Sequence, residues 1–168
     1  AELLFDKTPF YAEMGGQVAD HGTIEDADGN AVAKVTDVQH APNGQNIHFV
    51  DVLGNLEAHQ TYTLKVNRTF RLAVRKNHTA THLLDQALRE VLGAHTHQAG
   101  SLVEPDYLRF DFNHQGQVTP AELQQLEDTV NAKIYAEIPV KTTVTDLATA
   151  QKMGAIALFT DKYGDRVR

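Results

Sequence analysis

The chain has no cysteine among its 168 residues. That excludes disulfides, removes the usual support for a secreted scaffold and leaves no thiolate to bind a metal. No apolar run approaches the length of a membrane span, and the start Ala1-Glu2-Leu3-Leu4 lacks the basic-then-apolar order of a signal peptide. A soluble, cytoplasmic protein with no membrane partner is therefore expected. Basic excess is missing too: 15 Lys and Arg face 22 Asp and Glu, a formal net charge of −7. That balance excludes broad electrostatic capture of nucleic acid. The chain shows no internal repeat and no low-complexity linker. With 42% hydrophobic and 22% charged residues, it carries enough apolar side chain for a real core, in one large domain or two small ones.

Up to about residue 74 the pattern is β. Asp28-Gly29-Asn30, Pro42-Asn43-Gly44 and Leu53-Gly54-Asn55 are turn signals at near-regular spacing. Between them lie short candidate strands near 31–38 and 46–52, and Tyr62, Leu64 and Val66 alternate with polar neighbours. These features predict a small β-barrel-like N-terminal domain, residues 1–74. After Arg75 the period changes. Ala80, Leu83, Leu84, Ala87, Leu88, Val91 and Leu92 recur at helical steps, which predicts a helix near 77–92 stopped by Gly93. Leu108, Phe110 and Phe112 predict a strand with one buried face. Thr119-Pro120-Ala121-Glu122 forms a capping box for a second helix near 119–136, with Leu123, Leu126, Val130 and Ile134 as its apolar stripe. Val140 to Thr145 reads as a strand, Asp146 to Met153 as a short helix closed by Gly154, and Asp165 to Arg168 as the start of a further strand. The expected class is α+β, with a two-helix plus antiparallel-sheet second domain over 75–168. Both termini read as internal cuts in a longer protein.

The sharpest chemical feature is His78-Thr79-Ala80-Thr81-His82. Two imidazoles four residues apart on a helix project in nearly the same direction and can bind one metal ion. Nine histidines in 168 residues give about 0.5 such pairs by chance, so two solvated histidines remain a live alternative. A zinc protease is excluded, because Thr79 stands where H-E-x-x-H needs its glutamate base. By helical period, His78 and His82 lie roughly opposite the apolar stripe, facing solvent or a cleft rather than the core. Just upstream, Arg68, Arg71, Arg75 and Lys76 concentrate positive charge on an otherwise acidic chain. They read either as a solvated strand edge or as phosphate contacts beside the site.

Three segments together resemble the editing domain of alanyl-tRNA synthetase, and the freestanding proteins that deacylate mischarged alanine tRNA. Phe10-Tyr11-Ala12-Glu13-Met14-Gly15-Gly16-Gln17-Val18-Ala19-Asp20-His21-Gly22 is similar to the family's glycine loop, F-Y-x-E-x-G-G-Q-x-x-D-x-G. Arg75 to Leu84 is similar to its first metal-binding helix. Gln98-Ala99-Gly100-Ser101-Leu102-Val103, with Leu108 to Phe112, is similar to its third motif. Order and spacing agree across nearly the whole chain. The family completes its zinc site downstream with C-x-x-x-H, and this chain ends before that motif.

The resemblance implies hydrolysis of an aminoacyl ester on the 3′ acceptor end of tRNA(Ala), correcting charging by serine or glycine. A pocket for alanine rejects neither neighbour strongly, so a second, hydrolytic site is needed. Serine is larger than alanine, so the site must read its hydroxyl. By resemblance Thr81 is that reader and Gln98 helps hold the substrate or a water. Gly15, Gly16 and Gln17 line the substrate. His78 and His82 are two ligands of a four-ligand zinc site, and Arg68, Arg71, Arg75 and Lys76 meet RNA. Local alternatives stand beside each: a threonine bonded back to its helix, a surface amide, an ordinary β-turn. The implied cofactor is zinc in the complete protein, bound weakly or not at all by this chain alone. The implied partners are tRNA(Ala) and the rest of a parent synthetase, whose ATP pocket has no trace here. A non-catalytic tRNA-positioning module and a piece of a freestanding deacylase are the competing readings.

Overall fold

A computed structural model describes residues 1–155, 164 and 166–167. Their contacts divide into two compact units, Ala1–Ala132 and Lys133–Arg168. In the first, strands β1 (Glu2–Leu4), β2 (Gly22–Glu25), β3 (Ala31–His40), β4 (Asn46–Val52) and β5 (Thr63–Val66) form one sheet. The order is β1-β4-β3-β2-β5 and every pairing is antiparallel. The sheet is open, with β1 and β5 at its edges, so the expected barrel-like closure does not occur. Strands β1 and β2 both find partners far along the chain, which local alternation does not specify.

One face of this sheet builds the first core. Ile24, Val32, Ala33, Val35, Val38 and Val50 are buried there with Phe10, Ala12 and Ala19, which come from the segment between β1 and β2. That segment, the glycine loop of the sequence, is therefore anchored by apolar side chains at both ends. His48 is also fully buried. Thr8 Oγ1 lies 2.7 Å from its Nε2, and Phe5 and Phe10 meet its ring edge-on at 5.1 and 5.6 Å.

The long helix α1 (Arg68–Val91) starts nine residues before the expected position. Asn67 caps it, accepting from the Phe70 amide at 3.1 Å. The basic run that read as a strand edge is therefore the helix's first two turns. Its four cations masked the apolar period that Val74 continues toward Ala87 and Leu88. Helix α1 packs on the antiparallel hairpin β6 (Gln98–Val103) and β7 (Leu108–Phe112). Asn77 fixes this docking by donating to the carbonyls of Glu104 at 2.7 Å and Pro105 at 3.2 Å.

Helix α2 (Pro120–Tyr135) has the expected capping box. Glu122 accepts from the Thr119 amide at 2.8 Å, and Thr119 Oγ1 accepts from the Glu122 amide at 3.3 Å. Its stripe is covered only in the middle. Leu126 joins Ala87, Leu88 and Leu92 in a second core, flanked by Phe110, Phe112 and Val130. Leu123 stays 56% exposed and Ile134 49%, so the four-residue stripe is half realised. In the second unit, β8 (Thr145–Asp146) pairs antiparallel with β9 (Arg166–Val167). The strand expected over 140–145 is thus reduced to its last residue plus Asp146. Asp146 instead caps α3 (Leu147–Lys152), accepting from the Thr149 amide at 2.9 Å. No helix among the described residues is long and apolar enough to cross a membrane.

Candidate functional site

The glycine loop is a tight turn with a specific backbone demand. Met14 and Gln17 exchange backbone hydrogen bonds of 3.3 and 3.1 Å. Between them Gly15 and Gly16 both have positive φ, 63° and 82°. Two successive left-handed residues define the primed turn that glycine best accommodates. The turn then docks on β6. Val103 donates to the Gly16 carbonyl at 2.7 Å, and Val18 donates to the Val103 carbonyl at 3.2 Å. Gly16 has a second reason to be glycine: a Cβ there would stand 2.5 Å from the Ser101 carbonyl oxygen and 2.6 Å from Ser101 Oγ.

The same segment is braced against α1. Asp20, buried, accepts from the Tyr11 amide at 2.7 Å and from Arg71 Nε at 3.0 and 3.1 Å. Arg71 Nη2 also donates to Asp20, and to the Pro9 carbonyl at 2.6 Å. The carboxylate partner holds the Arg71 pKa above its ordinary value. Burial, and then the Asp20 charge, push the Tyr11 phenol up as well. Arg71 is thereby committed inward, while Arg68, Arg75 and Lys76 are exposed. Asp20 was visible only as a fixed letter of the loop motif; its partner, 51 residues away, has no local signal.

This brace sets the loop against the imidazole pair. Gln17 Oε1 lies 2.6 Å from His78 Nδ1. The His78 and His82 rings stack side by side with centroids 5.1 Å apart. Burial lowers the His78 pKa, and proximity to His82 lowers it further, so the neutral ring is favoured. His82 is exposed, as a residue opposite the apolar stripe should be.

Gln98 opens β6 and donates from Nε2 to Ser101 Oγ at 3.0 Å. Ser101 in turn lies against Gly16, so Gln98 and the glycine turn share a neighbour. Sequence reasoning quoted Ser101 in a motif and gave it no role. Thr81 is on α1 between the histidines, 7% exposed, and its hydroxyl donates to the Asn77 carbonyl at 2.8 Å. This is the back-bonded threonine of helix interiors. No hydrogen bond joins Thr81 to Gln98 or to either histidine among the described residues.

The imidazole pair fits half of a zinc site. One ring is held through Nδ1, its Nε2 has no hydrogen-bond partner among the described residues, and a second ring stands beside it on the next turn. Among the described residues no group of three or more His, Cys, Asp or Glu is placed to hold a metal ion. Zinc at this position requires donors from outside the described residues.

Comparison of the sequence with known proteins finds close relatives. Residues 1–70, covering the sheet, the glycine turn and the start of α1, match the family model for tRNA synthetases class II (A). Alanine–tRNA ligase of Pediococcus pentosaceus is 66% identical over all 168 residues. Those of Ligilactobacillus salivarius and Latilactobacillus sakei are 64% and 66% identical, again over the whole chain. Over its whole length the chain is similar to alanine–tRNA ligases. It spans 19% of the length of these relatives. The glycine turn, the two histidines, Gln98 and Ser101 all lie within the 168 residues that align with these relatives.

Proposed function

We propose that this segment of an alanine–tRNA ligase hydrolyses tRNA(Ala) mischarged with serine or glycine. The observation that carries the reading is the 2.6 Å contact between Gln17 and His78. It joins the glycine turn, suited to close approach of a ligand, to the only paired imidazoles on α1. Zinc bound through His78, His82 and donors elsewhere in the parent would polarise the ester carbonyl or a water. Gly15 and Gly16 let backbone come close to the acceptor end. Gln98, oriented by Ser101, offers its amide oxygen to substrate or water.

Thr81 gives its proton to Asn77, so its remaining lone pairs can only accept. A serine side chain can donate to them and an alanine side chain cannot. That asymmetry selects serine against the correct amino acid, which size exclusion cannot do. Arg68, Arg75 and Lys76 remain exposed for phosphate contacts. In the parent, the same chain carries ATP-dependent alanylation elsewhere and works in the cytoplasm. A tRNA-positioning module is the second reading, favoured by that exposed basic face.

The test uses a full-length ligase carrying His78→Ala or His82→Ala. Hydrolysis of Ser-tRNA(Ala) should be lost while alanylation persists. Hydrolysis at the wild-type rate in both variants sinks the hydrolytic reading. If, in addition, neutralising Arg68 and Arg75 raises the KM for tRNA, the positioning module stands instead.

A further inference from the structure

We propose that Gln17 is a positioning residue that fixes the tautomer of His78, so that Nε2 presents its lone pair on the face shared with His82. A neutral imidazole has one N–H donor and one acceptor nitrogen, and an amide oxygen only accepts. With Gln17 Oε1 at 2.6 Å, the proton of His78 must sit on Nδ1, and Nε2 must be the acceptor. The bond also fixes the ring plane. A hydrogen bond to the ring nitrogen opposite a metal-binding nitrogen raises ligand basicity and orients the ring. Here the inference rests on the hydrolytic reading for its purpose, but not for its geometry.

The orienting group is unusually well held. Gln17 closes the two-glycine turn through its own backbone N–H and C=O. Its neighbours Gly16 and Val18 are tied to Val103 on β6, and Asp20 three residues on is tied to Arg71 of α1. The glutamine side chain thus reaches His78 from a backbone fixed at both ends. Above about pH 7 an imidazole is ordinarily neutral, the state in which tautomer matters. The His82 ring has no hydrogen-bond partner among the described residues, so within them one ring of the pair is oriented and the other is not. The turn's two glycines then serve the histidine indirectly, by placing Gln17.

Two-bond proton–nitrogen correlation spectra of the 15N-labelled, metal-free chain, recorded above pH 7, read the tautomer directly. In the wild type His78 should carry its proton on Nδ1. Gln17→Leu, which keeps the bulk and removes the acceptor, should move His78 toward the Nε2–H form. Gln17→Glu, which restores an acceptor, should return the Nδ1–H form. In a full-length ligase, Gln17→Leu should weaken zinc binding about 10- to 100-fold. An Nε2–H proton on wild-type His78 overturns the proposal, as does an unchanged tautomer in a folded Gln17→Leu variant. The wild-type spectrum decides even if Gln17→Leu fails to fold. If His78 is Nδ1–H but Ser-tRNA(Ala) is not hydrolysed, the functional reading falls while the role of Gln17 stands.

Discussion

Gly15→Ala and Gly16→Ala form a matched pair that separates two causes at one turn. Both residues have positive φ, so alanine at either position adopts a left-handed conformation costing roughly 1–2 kcal/mol. Part of that is offset, by about 0.4–1 kcal/mol, because alanine restricts the unfolded chain more than glycine does. Gly15 has open space where its Cβ would stand, so nothing more is added. Its substitution should destabilise by about 1 kcal/mol or less. At Gly16 the new Cβ meets the Ser101 carbonyl oxygen at 2.5 Å, a backbone atom of a paired strand. It cannot rotate away as a side-chain tip could. Forced repacking of this kind costs about 1–3 kcal/mol, so Gly16→Ala should lose about 1–4 kcal/mol in total, and more than Gly15→Ala.

Urea unfolding of the three proteins measures the difference, provided the slopes of the transitions agree. The spectra of His78 should change with Gly16→Ala, because the displaced turn carries Gln17 away, and stay as in the wild type with Gly15→Ala. Equal destabilisation by the two alanines would refute the clash, and with it the docking of this turn on β6.

Thr81→Val in a full-length ligase should reduce the preference for hydrolysing Ser-tRNA(Ala) over Ala-tRNA(Ala) by roughly tenfold, the worth of one buried hydrogen bond; unchanged relative rates would dismiss Thr81 as the reader. Asp20→Asn should destabilise the chain by about 1–3 kcal/mol, discounted for the partly exposed Arg71, and a urea midpoint within error of wild type would contradict the brace. His48 has its pKa lowered chiefly by burial, so the unfolded chain binds its proton first: stability should be full above about pH 6.5 and fall as pH drops below it, and His48→Leu should flatten that slope. An unaltered slope between pH 7.5 and 5.5 would count against it. Zinc titration should show much weaker binding here than in a chain extended through the family's C-x-x-x-H segment, and equal affinity would mean that the donor set is already complete.

The legible parts of the fold were those with local causes. The capping box at Thr119 and Glu122 and the helical stripe through Leu84 and Leu88 are written in neighbouring residues, and both appear as expected. The start of α1 was hidden because Arg68, Arg71, Arg75 and Lys76 are polar, while Asn67, the cap that settles it, is a single residue. The sheet order β1-β4-β3-β2-β5 has no local cause at all. Nor does the exposure of Leu123: the residue has the right spacing for a core, but α2 is covered only near Leu126 and Val130.

The site follows the same division. His78 and His82 are adjacent by helical geometry, so their pairing needs nothing beyond the sequence. What makes them unequal is a residue 61 positions away, delivered by a turn whose position depends on Asp20 and on Val103. The letters Gly15-Gly16-Gln17 and Asp20 stand together in one motif because each solves part of one placement. The glycines permit the turn, Asp20 ties its far end to α1, and Gln17 uses the position so obtained. Arg71 shows the converse. Grouped by sequence with the phosphate-seeking cations, it is drawn inward by Asp20, and the charge that counted toward RNA binding holds the loop instead. If α1 meets RNA as proposed, the cations exposed for it are Arg68, Arg75 and Lys76, and salt should weaken the tRNA contact of this helix in proportion to three charges rather than four.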